Sequence, residues 1–156
     1  TSAANLASQE LAYARVFLEI SRDFAFGAGP TQSGELAQRL GLSRRLVDQI
    51  VEGLAVSALL NRVESGGLLP ARELGSITME DVSRSCRRDQ GDDLEPPNDA
   101  AGRHVTELLA ELAAQHRETL DRVDFRTLAH RFPPKPDPAL ADGSERLSGR
   151  QAEQKA

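Results

Sequence analysis

The stretch Gly41-Leu42-Ser43 constrains this chain more than any other, because it closes one amphipathic segment and opens the next within three residues. Glycine takes the left-handed backbone angles that end a helix. A serine hydroxyl can accept a hydrogen bond from the free amides that begin one. Before this turn, Glu35 to Leu40 places Leu36, Ala37 and Leu40 on one side, with Ser33 as the expected N-cap. After it, a helix from Arg44 to about Val56 directs Leu46, Val47, Ile50, Val51 and Leu54 inward. The same helix leaves Arg44, Arg45, Asp48, Gln49 and Glu52 outside. Two short helices joined this tightly form a helix-turn-helix.

The flanks complete the unit. Tyr13, Val16, Phe17, Ile20 and Phe24 recur at three- and four-residue spacing, which predicts a helix over Gln9–Phe24, broken by Phe26-Gly27-Ala28-Gly29-Pro30. Leu59 to Glu64 and Leu68 to Ala71 predict two short strands around Ser65-Gly66-Gly67, a hairpin wing, with Pro70 at an edge or strand end. Thr78-Met79-Glu80-Asp81 has a hydroxyl followed three residues later by an acid, so it caps a helix continuing through Val82 to about Arg88. The expected fold class is therefore mainly α, a winged helix-turn-helix with a two-stranded wing over residues 10–89, preceded by a flexible N-terminus over residues 1–9.

Residues 90–100 are acidic and carry Pro96-Pro97, which reads as a hinge. Beyond it Val105, Leu108, Leu109, Leu112 and Leu120 mark a long amphipathic helix within a helical segment over residues 101–132. Its apolar stripe requires a cover, either the winged helix or a second copy of the chain. Val123 to Leu128 adds a short helical turn. The proline-rich, polar run over residues 133–156 has too little apolar surface to offset the cost of ordering and is expected to be disordered.

Composition limits the functions available. The 156 residues, 39% of them hydrophobic, suffice for one core and contain no run long enough to cross a membrane. The net charge of -5 is the wrong sign for a dedicated nucleic-acid binder. From Glu10 to Glu73, seven arginines face eight acids, so the unit itself carries 7 − 8 = −1. A single cysteine, Cys86, excludes an internal disulfide and falls short of the ligands a closed zinc or iron–sulfur site needs. A reducing cytosol fits this usage.

With helix, helix-turn-helix, glycine wing and the capped Ile77-Thr78-Met79-Glu80-Asp81-Val82 helix in order, the chain resembles two groups over about Leu11 to Arg88. Ser33-Gly34-Glu35-Leu36-Ala37, Gly41-Leu42-Ser43 and Leu46-Val47 resemble the IscR-like winged-helix repressors, many of which sense iron–sulfur clusters. That resemblance implies a stand-alone DNA-binding transcription regulator dimerised through Arg103 to Leu120. The stretch from Ala14 to Phe24, Gly29-Pro30-Thr31 and Leu68-Leu69-Pro70-Ala71-Arg72 resemble the C-terminal cytosolic extension of some YihY proteins, inner-membrane proteins labelled ribonuclease BN. The Arg22-Asp23-Phe24 helix end and Pro70 favour this second group. It implies a non-catalytic regulatory or docking domain, cytoplasmic and tethered to the inner membrane, partnered by another protein or by the parent's own membrane domain. The ribonuclease label would not come from these residues.

The candidate nucleic-acid or partner contacts are Arg44, Arg45 and Gln49 of the second helix of the pair and Arg62 of the wing. Arginine suits guanine and glutamine suits adenine. Asp48 and Glu52 share that face and would repel phosphates, and the wing tip carries no cation. A dimer helix would present Val105, Leu108, Leu109 and Leu112. No cofactor is expected: Cys86 reads as a structural thiol, and His104, His116 and His130 lie twelve and fourteen residues apart, unlike a helical metal pair. Asp92-Asp93 and Glu80-Asp81 have no partnering base or nucleophile, and the glycine pairs lack a phosphate loop's lysine. No catalytic residue is expected.

Overall fold

The computed structural model describes residues 2–90, 95 and 97–134. Helix α1 (Ser2–Ala25) is followed by α2 (Ser33–Leu40), α3 (Arg44–Val56), strands β1 (Leu60–Arg62) and β2 (Leu68–Pro70), and a 3-10 turn (Leu74–Ser76). Helices α4 (Met79–Gln90), α5 (Ala100–Asp121) and α6 (Phe125–Arg131) complete the order. The expected winged helix-turn-helix is present. The tail residues 135–156, including Pro136, and the hinge pair Asp92-Asp93 lie outside the described residues.

The helix-turn-helix forms for the reasons its sequence carries. Gly41 adopts φ 64°, ψ 32° and its amide donates to Ala37 O, which ends α2. Two residues later the Ser43 hydroxyl accepts from Leu46 N at 3.2 Å and opens α3. The α3 side chains Val47, Ile50, Val51 and Leu54 are buried against Tyr13, Val16, Phe17 and Ile20 of α1 and Leu36 of α2. Each such side chain contributes about 1.5–3 kcal/mol by leaving water. Leu46 lies only half inside.

Three expectations need correction. Helix α1 begins at Ser2, ahead of the expected start at Gln9. Ser33 is the first residue of α2 and not its cap: Gln32 holds the cap position, extended at φ −88°, ψ 142°, with no side-chain bond. The reason lies one residue earlier, where Thr31 exchanges backbone hydrogen bonds with Leu68 (N–O distances 3.1 and 2.8 Å) and keeps the chain extended up to the helix. Phe24, placed on the inner stripe of α1, is 49% exposed. Asp23 takes the inward position instead, accepting from Thr31 Oγ1 at 2.7 Å and from Arg39 Nη1 at 3.0 Å.

The wing is a short antiparallel ladder that pairs Leu60 with Pro70 and Arg62 with Leu68, so Pro70 falls at the strand end. The cap of α4 is reciprocal: Thr78 N donates to Asp81 Oδ2 at 2.9 Å, and Asp81 N donates to Thr78 Oγ1 at 3.3 Å.

The C-terminal segment divides in two. Helix α5 buries none of its residues, and Val105, Leu108, Leu109 and Leu112 are 47–61% exposed. The rest of the described chain leaves that stripe uncovered. Helix α6 returns to the body. Met79 N donates to Val123 O at 2.8 Å and Phe125 N to Ile77 O at 3.0 Å, which carries Phe125 into the core.

Candidate nucleic-acid interface

The exposed side of α3 begins at its first turn, so the Ser43 cap that fixes the helix start also sets where Arg44 and Arg45 project. Arg44 Nε lies 3.2 Å from Asp48 Oδ1, one helical turn on. Arg62 of β1 reaches back to α3, with Nη2 3.1 Å from Glu52 Oε2. Both pairs border a groove of about 470 Å3 between α3 and the wing, floored by Ser33, Gly66 and Leu68. Arg45 is exposed, and its side chain has no ion pair or hydrogen bond among the described residues.

This geometry changes the weight of the two acids on α3. Each is paired with an arginine of the same surface, so the face carries the uncompensated charge of Arg45. Exposed pairs of this kind are worth about 0–1 kcal/mol. A bidentate arginine–base contact discriminates by about 1–3 kcal/mol. Exchanging Asp48 or Glu52 for a nucleic-acid partner is therefore inexpensive for Arg44 and Arg62. Gln49 is held differently: its Nε2 donates to Asp89 Oδ2 of α4 at 3.4 Å, and the same oxygen accepts from Tyr13 Oη at 2.8 Å. Burial, followed by the bond and charge of Asp89, raises the Tyr13 pKa.

Between α1 and α2 lies a polar network that sequence reasoning missed. Burial disfavours the Arg39 charge, but the hydrogen bond and charge of Asp23 outweigh it and raise the guanidinium's pKa. Arg39 also pairs with Glu19 and Glu35, and Arg22 pairs with Glu19 at 2.7 Å, so α1 and α2 are joined through charge as well as packing. The Glu19–Arg22 and Glu35–Arg39 pairs lie three and four residues apart within one helix each, but no local spacing marks the Arg39 contacts to Asp23 and Glu19, because those partners come from different elements.

Cys86 is fully buried in the core, and its thiol is pushed up to about 11 by burial first and by the Glu10 and Asp89 charges next. A lone buried thiol of this kind does not fit an iron–sulfur cluster, which takes several thiolates. Among the described residues no group of three or more histidine, cysteine, aspartate or glutamate side chains could hold a metal ion. His130 stacks edge-on with Phe26, their ring centroids 5.5 Å apart. Glu80 is buried and bonded to Arg87 at 2.5 Å.

The architecture is that of a winged-helix protein of the kind built by IscR- and CymR-type regulators. IscR from T. potens is similar over 79% of this chain and 84% of its own, at 20% identity and a TM-score of 0.59. CymR, the global cysteine regulator of B. subtilis, is similar over 78% of this chain and 93% of its own, at 24% identity and a TM-score of 0.60. Staphylococcus aureus CymR gives 19% identity and a TM-score of 0.60 over 78% of this chain and 95% of its own. No sequence-family profile matches the chain, and it has no match among curated proteins. At these identities the likeness establishes the fold. It sides with the repressor resemblance and lends no support to a YihY or ribonuclease BN origin. No helix among the described residues is long and apolar enough to cross a membrane.

Proposed function

We propose that this chain is a DNA-binding transcription regulator that reads DNA with Arg44, Arg45 and Gln49 of α3, steadied by Arg62 of the wing. The observation that carries the reading is the charge state of the α3 face: Asp48 and Glu52 are already paired, and Arg45 is unengaged. The likeness to IscR and CymR supports the same reading. The net acidity weighs less against it than the total suggests, because −5 − (−1) = −4 of the charge lies outside Glu10–Glu73. The regulator works as a dimer joined through Val105, Leu108, Leu109 and Leu112, whose exposed stripe on a 22-residue helix is covered by the same stripe of a second copy.

The test is binding to duplexes selected from a random pool, followed across salt concentration. Affinity falls steeply with salt if phosphates are contacted. Arg44→Ala with Arg45→Ala weakens binding by about thirtyfold or more, two contacts at about 1 kcal/mol or more each. Unchanged binding by the double variant removes the proposed reading residues. Leu109→Glu with Leu112→Glu gives a monomer in sedimentation equilibrium; a variant that still dimerises removes the α5 pairing.

A further inference from the structure

Three arginines converge at the end of α3 opposite Arg44 and Arg45, about 20 Å along the helix axis. Arg72 precedes the 3-10 turn, and Arg84 and Arg88 stand one turn apart on α4, so they share a face. With Ser57, Asp81 and Ser85 they border a cavity of about 100 Å3. Asp81 is the one carboxylate in that lining, which leaves 3 − 1 = +2. Its carboxylate is 3.9 Å from both Arg72 Nη2 and Arg84 Nη1, beyond hydrogen-bond reach, and its Oδ2 already accepts from Thr78 N at 2.9 Å. Glu80, 4.0 Å from Arg84, is engaged by Arg87 at 2.5 Å. The Arg88 side chain has no partner among the described residues.

Two further features give the cavity a direction. The Ser57 hydroxyl donates to Ser85 Oγ at 3.0 Å, and Ser85 donates onward to Gly53 O at 3.0 Å, so Ser57 can turn its proton outward while Ser85 keeps its bond. The carbonyl end of α3 opposes an anion, but Gly53 O is already occupied by Ser57 N and Ser85 Oγ. Ser57 and Arg88 also border a larger groove of about 420 Å3, where Gly53 and Val56, the latter 72% exposed, give an apolar stretch and Gln49, Glu52 and Asp89 make up the rest of the wall. A polar, cationic seat thus opens onto an apolar shelf.

We propose that this junction binds a small organic oxyanion, a phosphate monoester or carboxylate held by Arg72, Arg84 and Arg88, with a compact apolar body lying against Gly53 and Val56. The ligand acts as an effector, because Gln49 donates to Asp89 and both line the larger groove. Drawing Arg88 onto the anion shifts Asp89, its neighbour in the chain, and with it the hold on Gln49. This coupling rests on the DNA reading above, whereas the binding does not.

The test is an NMR titration of the full chain with phenyl phosphate, inorganic phosphate and sodium chloride at matched ionic strength. Phenyl phosphate produces saturable shifts at the Ser57 and Ser85 amides and the Arg84 and Arg88 Nε–H groups, inorganic phosphate binds more weakly, and chloride produces none. Arg84→Gln with Arg88→Gln weakens phenyl phosphate at least tenfold while the melting temperature holds, and Ser57→Ala weakens it by a smaller factor. Absence of saturable shifts, or wild-type affinity in the double variant, overturns the site. Equal affinity for the two phosphates overturns the apolar shelf. If the double variant loses DNA affinity with no phosphate added, the arginines are backbone contacts and the effector site is overturned. If wild-type protein binds no DNA while the titration succeeds, the regulator reading fails and the anion site stands.

Discussion

The ring of Phe125 meets that of Phe17 edge-on, with centroids 4.7 Å apart and planes at 90°. Both side chains are fully buried, so this contact fastens α6 to α1 across more than a hundred residues of chain. Phe125→Ala removes the ring and leaves a cavity, at a cost of about 3–5 kcal/mol. Urea unfolding measures it. A loss below about 1 kcal/mol would show that α6 is not part of the cooperative core.

Gly53 lets α3 pass close to α1. A Cβ there would lie 2.5 Å from Tyr13 Oη and 3.3 Å from its ring. Gly53→Ala is expected to destabilise by about 1–3 kcal/mol through overpacking. In a double-mutant cycle, Tyr13→Phe offsets part of that loss, giving a coupling of about 0.5 kcal/mol or more. Strict additivity would remove the clash as the cause.

Cys86 should be chemically quiet in the native chain. Its thiol, pushed up to about 11, holds very little thiolate near neutrality, and the side chain is fully buried. Iodoacetamide at about pH 8 is expected to alkylate the native protein more than a hundredfold more slowly than the urea-unfolded chain. Comparable rates would contradict the burial.

Asp124 caps α6, accepting from Thr127 N at 2.9 Å and from the Thr127 hydroxyl at 2.9 Å. The backbone bond from Thr127 is the main reason its carboxyl titrates below the ordinary value, with burial opposing. A lowered folded pKa stabilises the protein above the unfolded value of about 3.9, and that contribution is lost as pH falls through the folded value. Asp124→Ala therefore costs about 1 kcal/mol near neutrality. The gap to wild type in urea unfolding narrows as the pH is lowered toward about 2. A gap that is constant with pH would mean the ionised carboxylate contributes nothing.

What could be read in the residues was what local chemistry determines. Gly41 and Ser43 mark the turn between α2 and α3 because each acts on its own backbone. Thr78 and Asp81 mark the α4 cap for the same reason. The Asp23–Thr31–Arg39 network left no such trace, since its members come from separate elements, and it displaced Phe24 from the inner stripe. Phe125 stood alone after a break in periodicity, so nothing nearby marked it as core. At the candidate interface the residue types on α3 were legible, but the pairing of Glu52 with Arg62 depends on how the wing folds back. That pairing neutralises an acid that in sequence counts against DNA.

The return of α6 to α1 also has a geometric consequence. Helix α5 is tied to the body where it ends, by the Val123–Met79 and Phe125–Ile77 bonds just beyond it, which anchor that end of it like the foot of a strut. Two copies clasped along such struts would act as a caliper of set width. Their α3 helices would then suit half-sites at one separation on the duplex, about 34–36 Å or a multiple of it. Inserting half a helical turn of DNA between the half-sites would place the second copy on the wrong side of the double helix.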